Sequence, residues 1–210
     1  MKTGILWDLD GTLLDTLEDL ADAVNFALQQ FGYPTRSVEE VRSFVGNGAR
    51  RLIERAVPVG GDADAVFDTF RTYYNANCQV KTKPYDGILE ALQKLGEKYP
   101  MAVVSNKPDP AVKELCKKYF GDVYALGESS ACPRKPAPDM VFAAMKAIGA
   151  ETCIYVGDSE VDVLTAKNAG VPCLSVLWGF RTREELETAG ATEFCDSPNR
   201  LAYEIDRIVK

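Results

Sequence analysis

The sequence predicts a doubly wound α/β domain, residues 1–14 and 83–210, interrupted by an α-helical insertion over residues 15–82. Three observations carry this. Thr3–Leu9 is a short apolar run ending in Asp-Leu-Asp-Gly, the pattern of a buried strand entering a turn. From residue 83 onward apolar strands alternate with helical patterns, and continuous apolar strands belong to a parallel sheet covered on both faces. Between these two regions apolar residues recur only at helical spacing. An insertion directly after the first strand sits over the carboxyl ends of the strands, where open α/β sheets bind ligands.

The elements follow in order. Leu17, Leu20, Ala21, Val24, Ala27, Leu28 and Phe31 share one helical face, and Gly32 and Pro34 stop that helix. Ser37 with Glu40 three residues on is a capping box that opens a short second helix. A third helix starts after Gly46-Asn47-Gly48 and runs to about Val57, and a fourth covers roughly 62–77. Beyond Lys83-Pro84-Tyr85-Asp86-Gly87 come a helix near 87–97, the strand Met101–Val104, a helix over Pro108–Tyr119 and a strand over Val123–Leu126. Pro138 opens a helix to Ile148 from its first turn. Cys153–Val156 is a strand, Glu160–Ala169 a helix closed by Gly170, and Pro172–Leu177 another strand. Helices near 182–189 and 198–209 flank a short strand near 192–195.

Composition narrows the chemistry. The chain has 210 residues, 46% apolar and 26% charged, enough to bury a core. Its 24 Lys+Arg and 31 Asp+Glu give a net charge of −7. That balance argues against nucleic acid or an anionic membrane as partner, since a phosphate backbone needs a basic footprint. There is no histidine. Ser-His-Asp and Cys-His nucleophile systems, HExxH sites and Cys2His2 fingers are therefore excluded. Acid–base chemistry falls to carboxylates, Lys, Tyr or Cys, and any metal site leans on oxygen ligands, which favours Mg²⁺, Mn²⁺ or Ca²⁺.

Cys78, Cys116, Cys132, Cys153, Cys173 and Cys195 are too far apart for a CxxC motif and read as free thiols of a reducing compartment. One Lys precedes Gly4-Ile5-Leu6-Trp7, and Asp8 follows at once, which is not a signal peptide. No run approaches the length of a transmembrane helix. These observations lead to the expectation of a soluble cytoplasmic protein.

Polar residues gather at four strand ends. They are Asp8 and Asp10, Ser105-Asn106, Lys135 within Arg134-Lys135-Pro136-Ala137-Pro138, and Gly157-Asp158-Ser159-Glu160-Val161-Asp162. Each has a bland reading: a turn, a helix cap, a solvated lysine, a second cap. An EF-hand is excluded, because Leu13 stands where that loop needs Gly. In a parallel sheet all four groups converge on one edge, which the bland readings do not explain together.

Asp8-Leu9-Asp10-Gly11-Thr12-Leu13-Leu14-Asp15, Ser105-Asn106-Lys107, Lys135-Pro136 and Gly157-Asp158-x-x-x-Asp162 resemble, in order and spacing, the four motifs of the haloacid dehalogenase superfamily. The resemblance spans the whole chain and implies a Rossmann-like core whose helical insertion is a small cap domain. It implies Mg²⁺-dependent phosphatase chemistry through an aspartyl-phosphate. Asp8 is then the nucleophile, and Asp10 the general acid and later base. Asp8, the Asp10 carbonyl and Asp158 hold Mg²⁺, with Asp162 acting through a water or from behind. Ser105, with backbone N–H groups near Gly11 and Asn106, holds the phosphoryl oxygens, and Lys135 supplies fixed positive charge. Members that cleave carbon–halogen bonds typically lack the second aspartate, so Asp10 favours phosphoryl transfer. Phosphonate-cleaving members use a cap lysine as a Schiff base. Here the insertion offers only Lys81 near its end, with Lys83 just beyond, which disfavours that branch.

Phe44-Val45-Gly46-Asn47-Gly48-Ala49-Arg50-Arg51-Leu52 resembles the cap loop of phosphoglycolate phosphatases, as do Lys107-Pro108 and Trp178-Gly179-Phe180. The resemblance implies that Gly48 approaches a ligand and that Arg50 or Arg51 binds a substrate carboxylate in forked geometry. Both arginines also read as surface residues of a helix. The expected partner is a small phosphorylated metabolite, and the expected assembly a monomer or homodimer. A sugar phosphomutase and a pyrophosphatase share the scaffold. A receiver-like signalling module is much shorter and lacks a cap, and a degenerate binding protein would not keep every catalytic position filled.

Overall fold

The computed structural model describes residues 2–130 and 132–209. The chain divides into two compact units, one built from the residues up to Leu14 together with those from Pro84 onward, the other from Asp15–Lys83.

The first unit is built on a six-stranded sheet. Its strands are β1 (Thr3–Trp7), β4 (Met101–Pro108), β5 (Tyr124–Glu128), β6 (Thr152–Gly157), β7 (Cys173–Val176) and β8 (Glu193–Cys195). They lie in the order β5-β4-β1-β6-β7-β8, and every pairing is parallel. The chain runs outward from β1 in one direction and then, from β6, in the other. This is the doubly wound Rossmann-like order, with its topological switch between β1 and β6. The helices are α5 (Ile88–Gly96), α6 (Asp109–Phe120), α7 (Asp139–Ile148), α8 (Glu160–Ala169), α9 (Arg183–Thr188) and α10 (Leu201–Val209).

Strand side chains alternate between faces, and the two cores record it. Ile5, Trp7, Val103, Ile154, Val156 and Leu174 pack with Ile88, Leu115 and Ile205 on one face. Leu6, Ala102, Val104, Cys153 and Tyr155 pack with Met140, Val141 and Ala166 on the other. Both faces are covered, so the central strands are apolar throughout rather than alternating with polar residues.

The second unit is helical: α1 (Leu17–Gln30), α2 (Val38–Phe44), α3 (Gly48–Ala56) and α4 (Ala63–Asn77). Leu20, Val24, Leu28, Val41, Ile53, Val66 and Phe70 form its core. Ser37 caps α2 as expected, accepting from Glu40 N at 3.2 Å while Glu40 Oε2 accepts from Ser37 N at 2.8 Å. The two chain passages, β2 (Leu14–Asp15) and β3 (Lys83–Pro84), pair as a short two-stranded sheet that the helical pattern of the insertion does not announce.

One strand differs in length from its expectation in a way that matters. β4 does not stop at Val104 but stays extended through Pro108, with its register against β5 broken between Val104 and Pro108. Ser105, Asn106 and Lys107 are poor strand formers. Their extended course is secured by side-chain bonds of Asn106, described next. Among the described residues, no helix is long and apolar enough to cross a membrane.

Candidate active site

The β1–β6 switch point places Asp8 directly after β1 and Asp158 directly after β6, at the carboxyl ends of neighbouring parallel strands. Asp162 joins them from the first turn of α8, and carboxylate oxygens of all three lie within 4.8 Å of one another, all buried. Lys135 is 3% exposed and its Nζ bridges two of them, 2.7 Å from Asp8 Oδ1 and 2.8 Å from Asp162 Oδ1. It also lies 5.7 Å from the Tyr155 ring centroid. Of the four expected groups, three thus converge on this cluster; the fourth, Ser105-Asn106, is joined to Lys135 as follows.

Asn106 is the clamp. Its Nδ2 donates to the Lys135 carbonyl at 3.0 Å and its Oδ1 accepts from Lys135 N at 2.8 Å. The side chain is therefore spent on holding Lys135, two buried bonds that set where the ammonium points. Ser105 Oγ accepts from Lys107 N at 3.2 Å, which leaves its O–H as a donor. Gly11 donates its own N–H to the Leu14 carbonyl at 2.9 Å. Its contribution is space: it sits at φ 86°, and a Cβ there would lie 2.4 Å from Asp158 Oδ2. The amides of Leu9 and Asp10, beside it, have no acceptor among the described residues.

Asp162 is held by four protein donors. Lys135 Nζ and Tyr155 Oη (3.2 Å) bond its Oδ1; Ser159 N (3.1 Å) and Ser159 Oγ (2.6 Å) bond its Oδ2. Ser159 is the N-cap of α8, so the same carboxylate closes a helix terminus and steers Lys135. Asp158 accepts one bond on each oxygen, from Thr12 Oγ1 at 3.0 Å and from Phe180 N at 2.8 Å. Asp10, the most exposed of these carboxylates, pairs through Oδ1 with Lys107 Nζ at 2.8 Å. Lys107 is visible in the sequence as part of Ser105-Asn106-Lys107 and of Lys107-Pro108; nothing in spacing links it to Asp10.

The electrostatics follow from burial. Asp8 is pushed well above the ordinary carboxylate range, first by desolvation and next by the Asp162 charge, against the pull of Lys135. Desolvation and Asp162 raise Asp158 to about 7, although the Phe180 N–H and Thr12 hydroxyl lower it. Burial opposes the charge on Lys135, yet Asp162 and Asp8 together outweigh it and hold the ammonium well above its usual range.

Three buried carboxylates against one ammonium leave uncompensated negative charge, the situation in which carboxylates take up protons or bind a cation. The donor set is all oxygen. Asp162 is saturated by its four protein donors, whereas Asp8 and Asp158 retain acceptor capacity. These residues fit Mg²⁺, a hard cation that is held by one or two carboxylates and keeps several waters.

Gly48 opens α3 at φ 82°, and Arg50 and Arg51 follow in its first turn. Arg50 bonds Glu54 at 3.2 Å and also Asp64, and stacks over Phe67; Arg51 bonds Glu54 at 2.7 Å. Lys81, in the same unit, pairs with Asp22 at 2.7 Å. Its pKa is raised by that partner, the opposite of what an imine-forming amine needs. Burial pushes the Cys116, Cys153 and Cys173 thiols up to about 12 and Cys195 to about 11, so these sulfurs are poor nucleophiles.

Residues 5–176 match the family model of haloacid dehalogenase-like hydrolases. The phosphoglycolate phosphatase of Rhodobacter capsulatus is 34% identical over 191 residues, covering 86% of this chain and 87% of that protein. That of Vibrio parahaemolyticus is 35% identical over 214 residues, covering 94% and 93%. A crystal structure from Lactobacillus delbrueckii subsp. bulgaricus, provisionally named a phosphoglycolate phosphatase, superimposes with a TM-score of 0.91 at 35% identity and covers 98% of this chain and 99% of that one. The chain belongs to the haloacid dehalogenase-like hydrolases.

Proposed function

We propose that this hydrolase is a Mg²⁺-dependent phosphatase that transfers the phosphoryl group of a small phosphomonoester to Asp8 and then to water. The observation that carries the reading is the buried Asp8 carboxylate, held by Lys135 at 2.7 Å beside Asp158, with a second carboxylate two residues on. Asp8 attacks phosphorus, the bond to the ester oxygen breaks, and Asp10 gives its proton to that oxygen. Asp10, now ionised, takes a proton from water as the water attacks phosphorus, and the bond to Asp8 breaks to release phosphate. The two carboxylates stand in different places: Asp8 is buried against Lys135, and Asp10, two residues on, is more exposed and bonded to Lys107. Asp8, Asp158 and the Asp10 carbonyl would hold Mg²⁺, which shields the nucleophile from the anionic substrate and stabilises charge on the transferring oxygens. The Ser105 hydroxyl and the Leu9 and Asp10 amides are the donors for the phosphoryl oxygens.

The substrate we propose is 2-phosphoglycolate, following the relatives that carry that name. Arg50 and Arg51, with Gly48 ahead of them, are the residues proposed to recognise its carboxylate, in exchange for Glu54 and Asp64. The test is phosphate release with Mg²⁺ across 2-phosphoglycolate, other phosphomonoesters and pyrophosphate, with EDTA controls. Preference for 2-phosphoglycolate is expected, with Arg50→Ala or Arg51→Ala raising KM for it and not for esters without a carboxylate. Equal release from all esters would remove the substrate assignment and keep the chemistry. No metal-dependent release from any of them would remove the chemistry.

A further inference from the structure

We propose that Trp178 and Arg181 are positioning residues for Asp158, anchoring the segment after β7 that fixes how this carboxylate faces its cation. The inference rests on the reading of Asp8 and Asp158 as the Mg²⁺ site. It goes beyond that reading by assigning a role to residues of a different loop.

Asp158 is 1% exposed and each of its oxygens takes one protein bond. Both donors are themselves fixed by the 178–181 segment. Trp178 Nε1 donates to the Thr12 carbonyl at 3.0 Å, and it is the Thr12 hydroxyl that bonds Asp158 Oδ1. Phe180 N bonds Asp158 Oδ2, and the next residue, Arg181, is 8% exposed and pairs through Nε with Glu160 Oε2 at 2.8 Å. Glu160 is the first residue of α8, two positions after Asp158, so the segment is tied back to the helix that follows Asp158. Between the two anchors, Gly179 lies against the carboxylate: a Cβ there would be 2.3 Å from Asp158 Cβ and 2.5 Å from its Oδ2. A side chain at 179 could not be added without moving Asp158 or the loop.

The consequence is rotational. A carboxylate gripped on both oxygens presents its remaining lone pairs in one direction. The cation then meets a ligand that needs no reordering. Outer partners of this kind are worth about 10–100-fold in metal affinity. Trp178 and Arg181 act at one remove, through Thr12 and through the Phe180 backbone.

The experiment is Mn²⁺ binding to the full chain, read from the electron paramagnetic resonance signal of the free ion and competed with Mg²⁺, which needs no turnover. The variants are Trp178→Phe, which keeps a ring and loses the N–H, Arg181→Met, which loses the ion pair, and Arg181→Lys, which restores a cation for Glu160. Trp178→Phe and Arg181→Met are each expected to weaken Mn²⁺ about tenfold or more, and Arg181→Lys to recover most of the loss. In turnover the Mg²⁺ concentration for half-activation should rise while kcat at saturating Mg²⁺ changes far less, a split that general loosening of the fold would not give. Unfolding in EDTA identifies any variant that fails to fold; the two anchors are independent, so either one decides. Mn²⁺ affinities within about twofold of wild type in the folded variants would overturn the proposal. Wild-type Mn²⁺ affinity in Asp158→Asn would instead show that the metal reading itself is wrong, and the proposal would fall with it.

Discussion

Lys135 sets the electrostatics of the site, and its removal separates charge from position. Among the described residues it is the one ammonium bonded to both Asp8 and Asp162, and both of its partners are buried. Breaking such a pair leaves an uncompensated buried charge, so Lys135→Met is expected to destabilise the metal-free protein by about 3–5 kcal/mol in urea unfolding. Asn106→Ala leaves the ammonium but frees the backbone that carries it. It should cost activity with a smaller loss of stability. Asp10→Asn tests proton transfer. Turnover should fall by about 10²–10⁴-fold, the span of general acid–base catalysis, with some loss of stability because the buried Lys107 ammonium loses its ionised partner. An Asp10→Asn enzyme within a few-fold of wild type on an alkyl phosphate would remove Asp10 from the proton path.

Elements explain why so much of this site was readable in advance and where reading stopped. Asp8, Asp10 and Asp158 were legible because a strand that ends in polar residues states both its own limit and the edge they occupy. Parallel order then brings separate strand ends together. Ser37, Glu40 and the Gly170 stop were legible because caps are local. What depends on tertiary distance was not. The Lys107–Asp10 pair spans 97 positions and the Asn106–Lys135 clamp 29. The extension of β4 through Pro108 was missed because Ser-Asn-Lys lacks strand propensity, and the bonds that hold it extended come from another loop. Ser159 was read as a cap, but not that Asp162 would be its partner. Ser159→Ala removes the 2.6 Å bond to Asp162, and the expected cost is about 1–3 kcal/mol of stability together with reduced turnover, because α8 and Lys135 lean on the same carboxylate. Unchanged turnover in a destabilised variant would confine Ser159 to the helix end.

At the scale of the molecule, the carboxylate cluster couples metal, protons and stability. Asp8 and Asp158 have pKa values raised by burial and mutual repulsion, Asp158 to about 7, whereas in the unfolded chain each returns to about 4. Between those values the folded protein binds more protons than the unfolded one. Stability of the metal-free protein from these groups is therefore present at low pH and lost as pH rises through the folded-state values. Mg²⁺ replaces the protons, so its stabilising effect should grow with pH. Thermal unfolding with EDTA and with Mg²⁺ should differ more at about pH 8 than at about pH 5.5. A Mg²⁺ effect independent of pH would mean that the ion binds elsewhere.

The mechanism requires a covalent phosphoryl group on Asp8. It is tested most directly by mixing the enzyme briefly with Mg²⁺ and its best phosphomonoester, quenching in acid and mapping phosphorylated peptides by mass spectrometry. The peptide carrying Asp8 is predicted to hold the phosphoryl group, with none in Asp8→Asn. Phosphate release at a normal rate with no phosphorylated Asp8, or turnover near wild type in Asp8→Asn, would contradict the account.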